Sequence, residues 1–490
     1  MTVPFNLIPI DTRTPGVYIE ADNSRAANGA NIIPTRVLVM GQMLAGGTAT
    51  PLTPQVCTSA VQAAARYGRG SQLALMLEAF KRGSDTVEVW GIGVVDAGAS
   101  VAAAGQALVA GTATAAAPAN LMVAGRRYRF AAAAGATAAS IAAGLVAAIN
   151  ADLDAPFTAA NVTVPARVDI TARNKGVNGN DFDIRGVYYD DDAQPPGITV
   201  TVTPMAAGAT NPVISTVFTA LGDMWFTDFV VPWNDTANLL LLQDELVARF
   251  GPMRQQDCHA WRALSDTLNN LLTAGGNRNC PHISVPGWFG SPSPPPVVAA
   301  TLAAVSCRSL TNSPSRPVQT LVLPGILPPP LKDRFKRAER DLLLHRGIST
   351  LVVDSGGTVS IDRVVTEYRE TTTGIADTSY LNVETLKTVT YLRYDTRALF
   401  ATKYPRHMLA EDGTQFGLGL PVMTPKLAKA ELIARFALWE EMGLVQNRAD
   451  FIANLLVERS LTDRDRLDAL IPPTCMNQFR VLAALFQFRT

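Results

Sequence analysis

The chain has 490 residues, 48% of them hydrophobic and 17% charged, and its 42 Lys+Arg are balanced by 42 Asp+Glu. That length exceeds what one core supports, so several domains are expected, and the apolar fraction excludes a disordered chain. A net charge of zero lacks the basic excess of a nucleic-acid binder and leaves little repulsion between copies of the chain.

The first residues carry short apolar stretches, Phe5 to Ile10 and Gly16-Val17-Tyr18-Ile19, separated by Pro4, Pro9 and Pro15. They lack the charged start and apolar core of a secretory signal, so none is expected. Residues 35–45 and 86–95 read as buried strands ending in glycine, with a helix over Ser71–Arg82 that stops at Gly83. Composition then shifts. Within 97–160, 28 of 64 residues are Ala. The uncharged runs Ala97–Gly125 and Phe130–Ala151 are too rich in Ala, Gly and Thr to read as membrane spans. Alternating strands follow at 167–171, 181–185 and 198–202, so 96–215 reads as a small inserted domain with β character.

From Trp225 the pattern is α/β. Phe229-Val230-Val231 reads as a strand, and Asn234-Asp235 as the cap of a helix running to Phe250. Strands near His259–Leu264 and Ile283–Val285 alternate with helices ending near Ala274 and Arg308, which implies a parallel sheet covered on both faces. The proline-rich stretches Ser291–Pro296 and Leu323–Pro330 read as rigid surface connections. A last α+β domain is expected over 331–476. It opens on a helix with Lys332, Arg334, Lys336, Arg337 and Arg340, then has a strand pair around Asp354-Ser355-Gly356-Gly357. A long helix near Val383–Lys403 and a capped one over Pro425–Met442 complete it.

The expected organisation is therefore a multidomain α/β and α+β chain. Residues 1–20 form an N-terminal arm, 21–95 with 216–330 a discontinuous parallel α/β domain, 96–215 an inserted outer domain, 331–476 an inner domain, and 477–490 a C-terminal arm. Phe479 to Arg489 reads as a hydrophobic strand at the very end of the chain. Such a strand must pair with something or become an aggregation edge. Either both ends pair within their own fold, or they are donated to another copy by β-augmentation.

The motifs of chemistry are thin. Asp354-Ser355-Gly356-Gly357 matches the surroundings of a protease nucleophile, and a hydrolase using Ser355 is one alternative. A triad also needs a positioned base and acid, and His345 lies only ten residues upstream on a predicted helix. A glycine hairpin turn is the simpler reading. Cys258-His259 and Cys280-Pro281-His282 lack the paired spacing of a structural zinc site and fall in or beside predicted strands. Gly91-Ile92-Gly93 lacks the third glycine of a dinucleotide fingerprint. No Walker A, His-Glu-x-x-His or Gly-x-Ser-x-Gly sequence occurs. No catalytic residue, cofactor or metal ligand is expected. The Pro425–Met442 helix places Lys426 and Lys429 near its N-terminus and Glu440 and Glu441 at its C-terminus, against the helix dipole. Local rules are broken most often at functional surfaces.

Several collinear motifs resemble the tail sheath proteins of contractile phages, above all the Mu-like type. They are Pro15-Gly16-Val17-Tyr18-Ile19-Glu20, Asn234-Asp235-Thr236-Ala237-Asn238-Leu239, Pro281-His282, Gln319-Thr320-Leu321-Val322-Leu323-Pro324-Gly325, Leu344 to Thr350, Asp377 to Leu386, and Leu455-Leu456-Val457-Glu458-Arg459. Only 96–215 is weakly covered. The resemblance implies a structural, non-enzymatic subunit that stacks in hexameric rings around a tail tube protein and meets baseplate and tail terminator proteins. It implies no nucleic-acid partner and no membrane insertion, with assembly in the host cytoplasm and residence in the virion tail. It also implies that Pro15, Gly16, Val17, Tyr18 and Ile19, and Phe479, Val481, Phe486 and Phe488, lie on arms donated between subunits. A helix of the inner domain would face the tube, here the one with Lys426 and Lys429. A non-contractile self-assembling tube remains a further alternative.

Overall fold

The computed structural model describes residues 33–417 and 419–489. These fall into two compact units: Pro34–Thr390 joined by the segment from Cys475, and Tyr391–Thr474. The expected N-terminal arm, with Pro15, Gly16, Val17, Tyr18 and Ile19, lies outside the described residues.

The larger unit is built on a six-stranded sheet. Its order is Ile283–Ser284, His259–Trp261, Asp228–Val230, Arg36–Gln42, Glu88–Val94, Gln55–Val56. All neighbours pair in parallel except the last, which runs antiparallel to Glu88–Val94. Alternation along Arg36–Gln42 explains why both faces are covered. Val37 and Val39 point into one apolar core with the helices Gln72–Gly83 and Pro295–Asn312. Leu38 and Met40 point into another, with the helices Ser215–Leu221 and Thr236–Phe250. Caps set the helix starts: Ser71 accepts from the Ala74 N–H, and Asp235 from the Asn238 N–H.

The inserted region has an apolar core of its own. A four-stranded antiparallel sheet (Ile198–Ala206, Ala104–Gly111, Arg167–Ala172, Phe157–Ala160) and a three-stranded one (Arg126–Ala132, Ala117–Val123, Ile184–Arg185) accompany the helix Ala138–Ala151. Val109, Leu121, Ile141, Leu145, Phe157 and Ile170 are buried together there. Polar contacts tie this core to the large sheet. The buried Gln42 amide donates to Asp96 Oδ1 (2.7 Å) and to the Lys175 carbonyl (2.6 Å), and Arg69 pairs with Asp154 at 2.7 Å.

Two expectations are corrected here. Ser291–Pro296 is buried throughout, not a surface connection. Pro295 and Pro296 occupy the first turn of Pro295–Asn312, where a missing N–H leaves nothing unsatisfied. Leu323 and Ile326, in the second proline-rich stretch, are core residues of the large unit. Residues 331–390 also pack with the sheet rather than forming a body with the residues after them. Val359, Ile361, Val364 and Val383 share the core of Val37 and Val298, and the unit boundary falls inside the helix Val383–Lys403.

The smaller unit is held by Pro425–Glu441 and Arg448–Asn454. Phe436 stacks on Phe451 at 4.2 Å, and Leu432, Trp439 and Val445 are buried. A buried Asp395 accepts from Arg435 and from the Trp439 indole (2.7 Å). The hairpin Leu456–Arg459 with Leu467–Leu470 is antiparallel and two-stranded among the described residues.

Candidate functional site

The residues with chemical potential have structural employment. Asp354 closes the Ser355 turn, its carboxylate accepting from the Thr358 N–H at 2.8 Å, while Gly357 has φ 82°. That left-handed conformation is why glycine stands there. His345 contacts Asp341 on its own helix at 3.7 Å and makes no hydrogen bond with Ser355. His259 lies in the sheet, its Nε2 3.0 Å from Ser284 Oγ, and His282 packs on Phe250. Burial, then the charges of Lys387 and His282, hold His259 well below the usual histidine range. Burial pushes the thiol of Cys258 up and that of Cys280 to about 12. Among the described residues, no group of three or more His, Cys, Asp or Glu is placed to hold a metal ion, and no helix is long and apolar enough to cross a membrane.

Buried charges cluster instead where elements join. Lys387 donates to both Asp228 oxygens at 2.8 Å and to the Thr227 carbonyl at 3.0 Å. Burial works against its charge, but adjacent Asp228 holds its pKa above the ordinary lysine value. Glu367 receives Arg262 at 2.6 Å and Arg278 at 3.3 Å. Each guanidinium and carboxylate is satisfied by a partner distant in sequence, the pattern of a structural clamp.

The C-terminal end of the chain behaves differently. Residues 477–489 pair with no strand among the described residues of their own chain, so the expected terminal strand is absent from the single subunit. Phe479 is 75% exposed, Val481 77%, Phe486 91% and Phe488 88%, with Leu482 and Leu485 equally bare. Soluble proteins rarely leave such a contiguous apolar run uncovered unless it is an interaction site. The root of the segment is anchored, with Arg480 donating to the fully buried Glu384 at 2.9 Å.

The smaller unit offers a matching feature. Leu456 and Leu470 face each other across the hairpin, 51% and 62% exposed, and both hairpin edges are unpaired among the described residues. Lys426 is exposed and Lys429 half-buried, and neither has an ion-pair partner among the described residues. Their conflict with the dipole is moderated, because Asp412 accepts from the Lys426 N–H at 3.0 Å and Thr424 from the Leu427 N–H at 3.2 Å. Sequence reasoning missed the Arg480–Glu384 pair and the hairpin edges, although Glu384 and Leu456 stand inside motifs it singled out.

A family model for the phage tail sheath protein central domain matches residues 207–366, and one for the phage tail sheath C-terminal domain matches residues 376–489. The Mu-like prophage FluMu tail sheath protein of Haemophilus influenzae is 39% identical over 489 residues, 100% of both chains. The chain belongs to the phage tail sheath proteins. Among solved structures, a sheath tail protein from Listeria innocua is similar with a TM-score of 0.50 at 10% identity, covering 93% of this chain and 95% of that one. At that identity the likeness speaks for the sheath fold. The helical sheath of the anti-feeding prophage in its contracted state is similar with a TM-score of 0.48 at 11% identity, covering 97% and 99%. The family is a structural one, and the buried histidines and cysteines of this sheath protein fit that role as core residues.

Proposed function

We propose that this sheath protein is the repeating subunit of a contractile tail, polymerising as stacked hexameric rings around an inner tube. Contraction of the polymer would drive the tube through the host envelope. The observation that carries this reading is the C-terminal segment, whose Phe479, Val481, Phe486 and Phe488 are largely exposed and pair with no strand among the described residues of their own subunit. A second copy is the natural cover. Its Leu456–Arg459 and Leu467–Leu470 hairpin has open edges that an added strand would complete. Donation that is head-to-tail and does not close on itself builds a helical polymer. Residues 1–20, with Pro15, Gly16, Val17, Tyr18 and Ile19, would supply a second donated strand.

Lys426 and Lys429 would meet acidic residues of the tail tube protein, and baseplate and tail terminator proteins would cap the polymer in the virion tail after assembly in the host cytoplasm. The region 96–215, with its own core, would form the outer surface. Purified protein examined by negative-stain electron microscopy should form hollow striated cylinders. A monodisperse small oligomer over the whole concentration range would refute polymerisation.

A further inference from the structure

We propose that the Arg480–Glu384 pair is a latch, formed within each subunit, that fixes where the donated C-terminal strand begins. The inference rests on the strand-donation reading and adds to it the residue that positions the strand. Glu384 is 0% exposed, in the first turn of Val383–Lys403, and one of its oxygens accepts from both the Val318 N–H (3.0 Å) and Arg480 (2.9 Å). Its other oxygen has no hydrogen-bond partner among the described residues. The Arg480 side chain is itself only 10% exposed, although the residues on both sides of it are bare. Gln319 lies 3.5 Å from a second guanidinium nitrogen, and Gln478 reaches the Ser315 carbonyl at 3.4 Å. Arg363 stands beside the same carboxylate, bonded to Asn382 at 3.1 Å. A buried carboxylate of this kind strongly resists losing a cationic partner, because it would remain buried and charged.

The consequence is one of reach and register. With Arg480 held, the free part starts at Val481, and about nine residues span at most about 30 Å. Without the latch, the free part extends back toward Cys475, its reach grows to about 48 Å, and residues that were ordered beforehand must be ordered on binding. A slip of one residue turns every side chain of a strand to the opposite face. A fixed root therefore selects which of Val481, Leu482, Leu485, Phe486 and Phe488 enter the neighbour and which face out.

The test measures the polymerisation threshold by light scattering, beside the melting temperature of dispersed subunits. Arg480→Glu should raise the threshold at least tenfold, but it sets a second carboxylate beside the buried Glu384 and should lower the melting temperature as well. The neutral pair Glu384→Gln with Arg480→Met leaves no buried charge, and should raise the threshold similarly with the melting temperature within a few degrees. A wild-type threshold in either folded variant overturns the latch. The double swap Glu384→Arg with Arg480→Glu should regain most of the polymerisation. An equimolar mixture of the two single swaps should not, because each subunit then carries a like-charged site. Rescue by mixing would place the pair between copies and overturn a latch within the subunit. Truncation after Arg480 separates the two ideas. Normal polymers from the truncated chain would sink strand donation itself, whereas loss there with normal assembly of Arg480→Glu would sink the latch alone.

Discussion

Removing Asp228 tests whether the buried charges hold the large unit together. Its side chain is 2% exposed and that of Lys387 14%. Its Oδ1 also accepts from the Trp261 indole at 2.8 Å. Asp228→Ala leaves a buried ammonium without its counter-charge, worth about 3–5 kcal/mol, and orphans an indole N–H worth about 1–3 kcal/mol. The two overlap, so the expected loss is about 4–6 kcal/mol, a fall of roughly 5–8 °C in the melting temperature of a unit this large. Asp228→Asn with Lys387→Met removes both charges and should recover most of it. The pH dependence should differ in sign. In the wild type Lys387 is raised above 10.5, so the stability it contributes is complete below pH 10.5 and is lost as pH rises through the folded-state value. In Asp228→Ala burial loses its main opponent, the folded-state value falls, and stability should rise as pH climbs from neutral toward 10.5. Thermal melts of both proteins across that range should therefore converge. A gap that stays constant, or a loss below about 1 kcal/mol, would refute the clamp.

Phe486→Ser with Phe488→Ser should abolish polymer while leaving the melting temperature of dispersed subunits unchanged, since both rings are exposed there; a large fall in melting temperature would place them in their own core. Lys426→Glu with Lys429→Glu should weaken cosedimentation with tail tubes, more at low than at high salt, and equal binding at all salt concentrations would remove them from that interface. Replacing residues 97–213 by a short Gly/Ser link, with Asp96 kept as one of the two acceptors of the Gln42 amide, should yield soluble, polymer-forming protein by electron microscopy; loss of polymer from a soluble, folded deletion would show that the region carries an essential contact.

The covered parallel sheet was legible because its strands are short apolar runs, two of them ending in glycine, and because Ser71 and Asp235 announce their helices. A surface reading of Ser291–Pro296 fails at Pro294, Pro295 and Pro296, since proline density marks a surface link and a buried helix start equally. The C-terminal segment reads as apolar and extended, but a strand needs a partner, and the described residues of the single subunit supply none. Lys387–Asp228 and Arg480–Glu384 join residues 159 and 96 apart in the chain, and local pattern carries no trace of such pairs.

The bare C-terminal segment also sets a limit on how this protein can be stored. A single subunit leaves Phe479, Val481, Leu482, Leu485, Phe486 and Phe488 exposed, at zero net charge. A pool of such subunits is supersaturated in character: soluble only while dilute or shielded, and ready to condense on any surface that accepts the segment. Timing of growth then belongs to nucleation rather than to the fold. On the proposed assembly around a tube, a first ring would act as a seed, and subunits made ahead of it would be the ones at risk of unguided association.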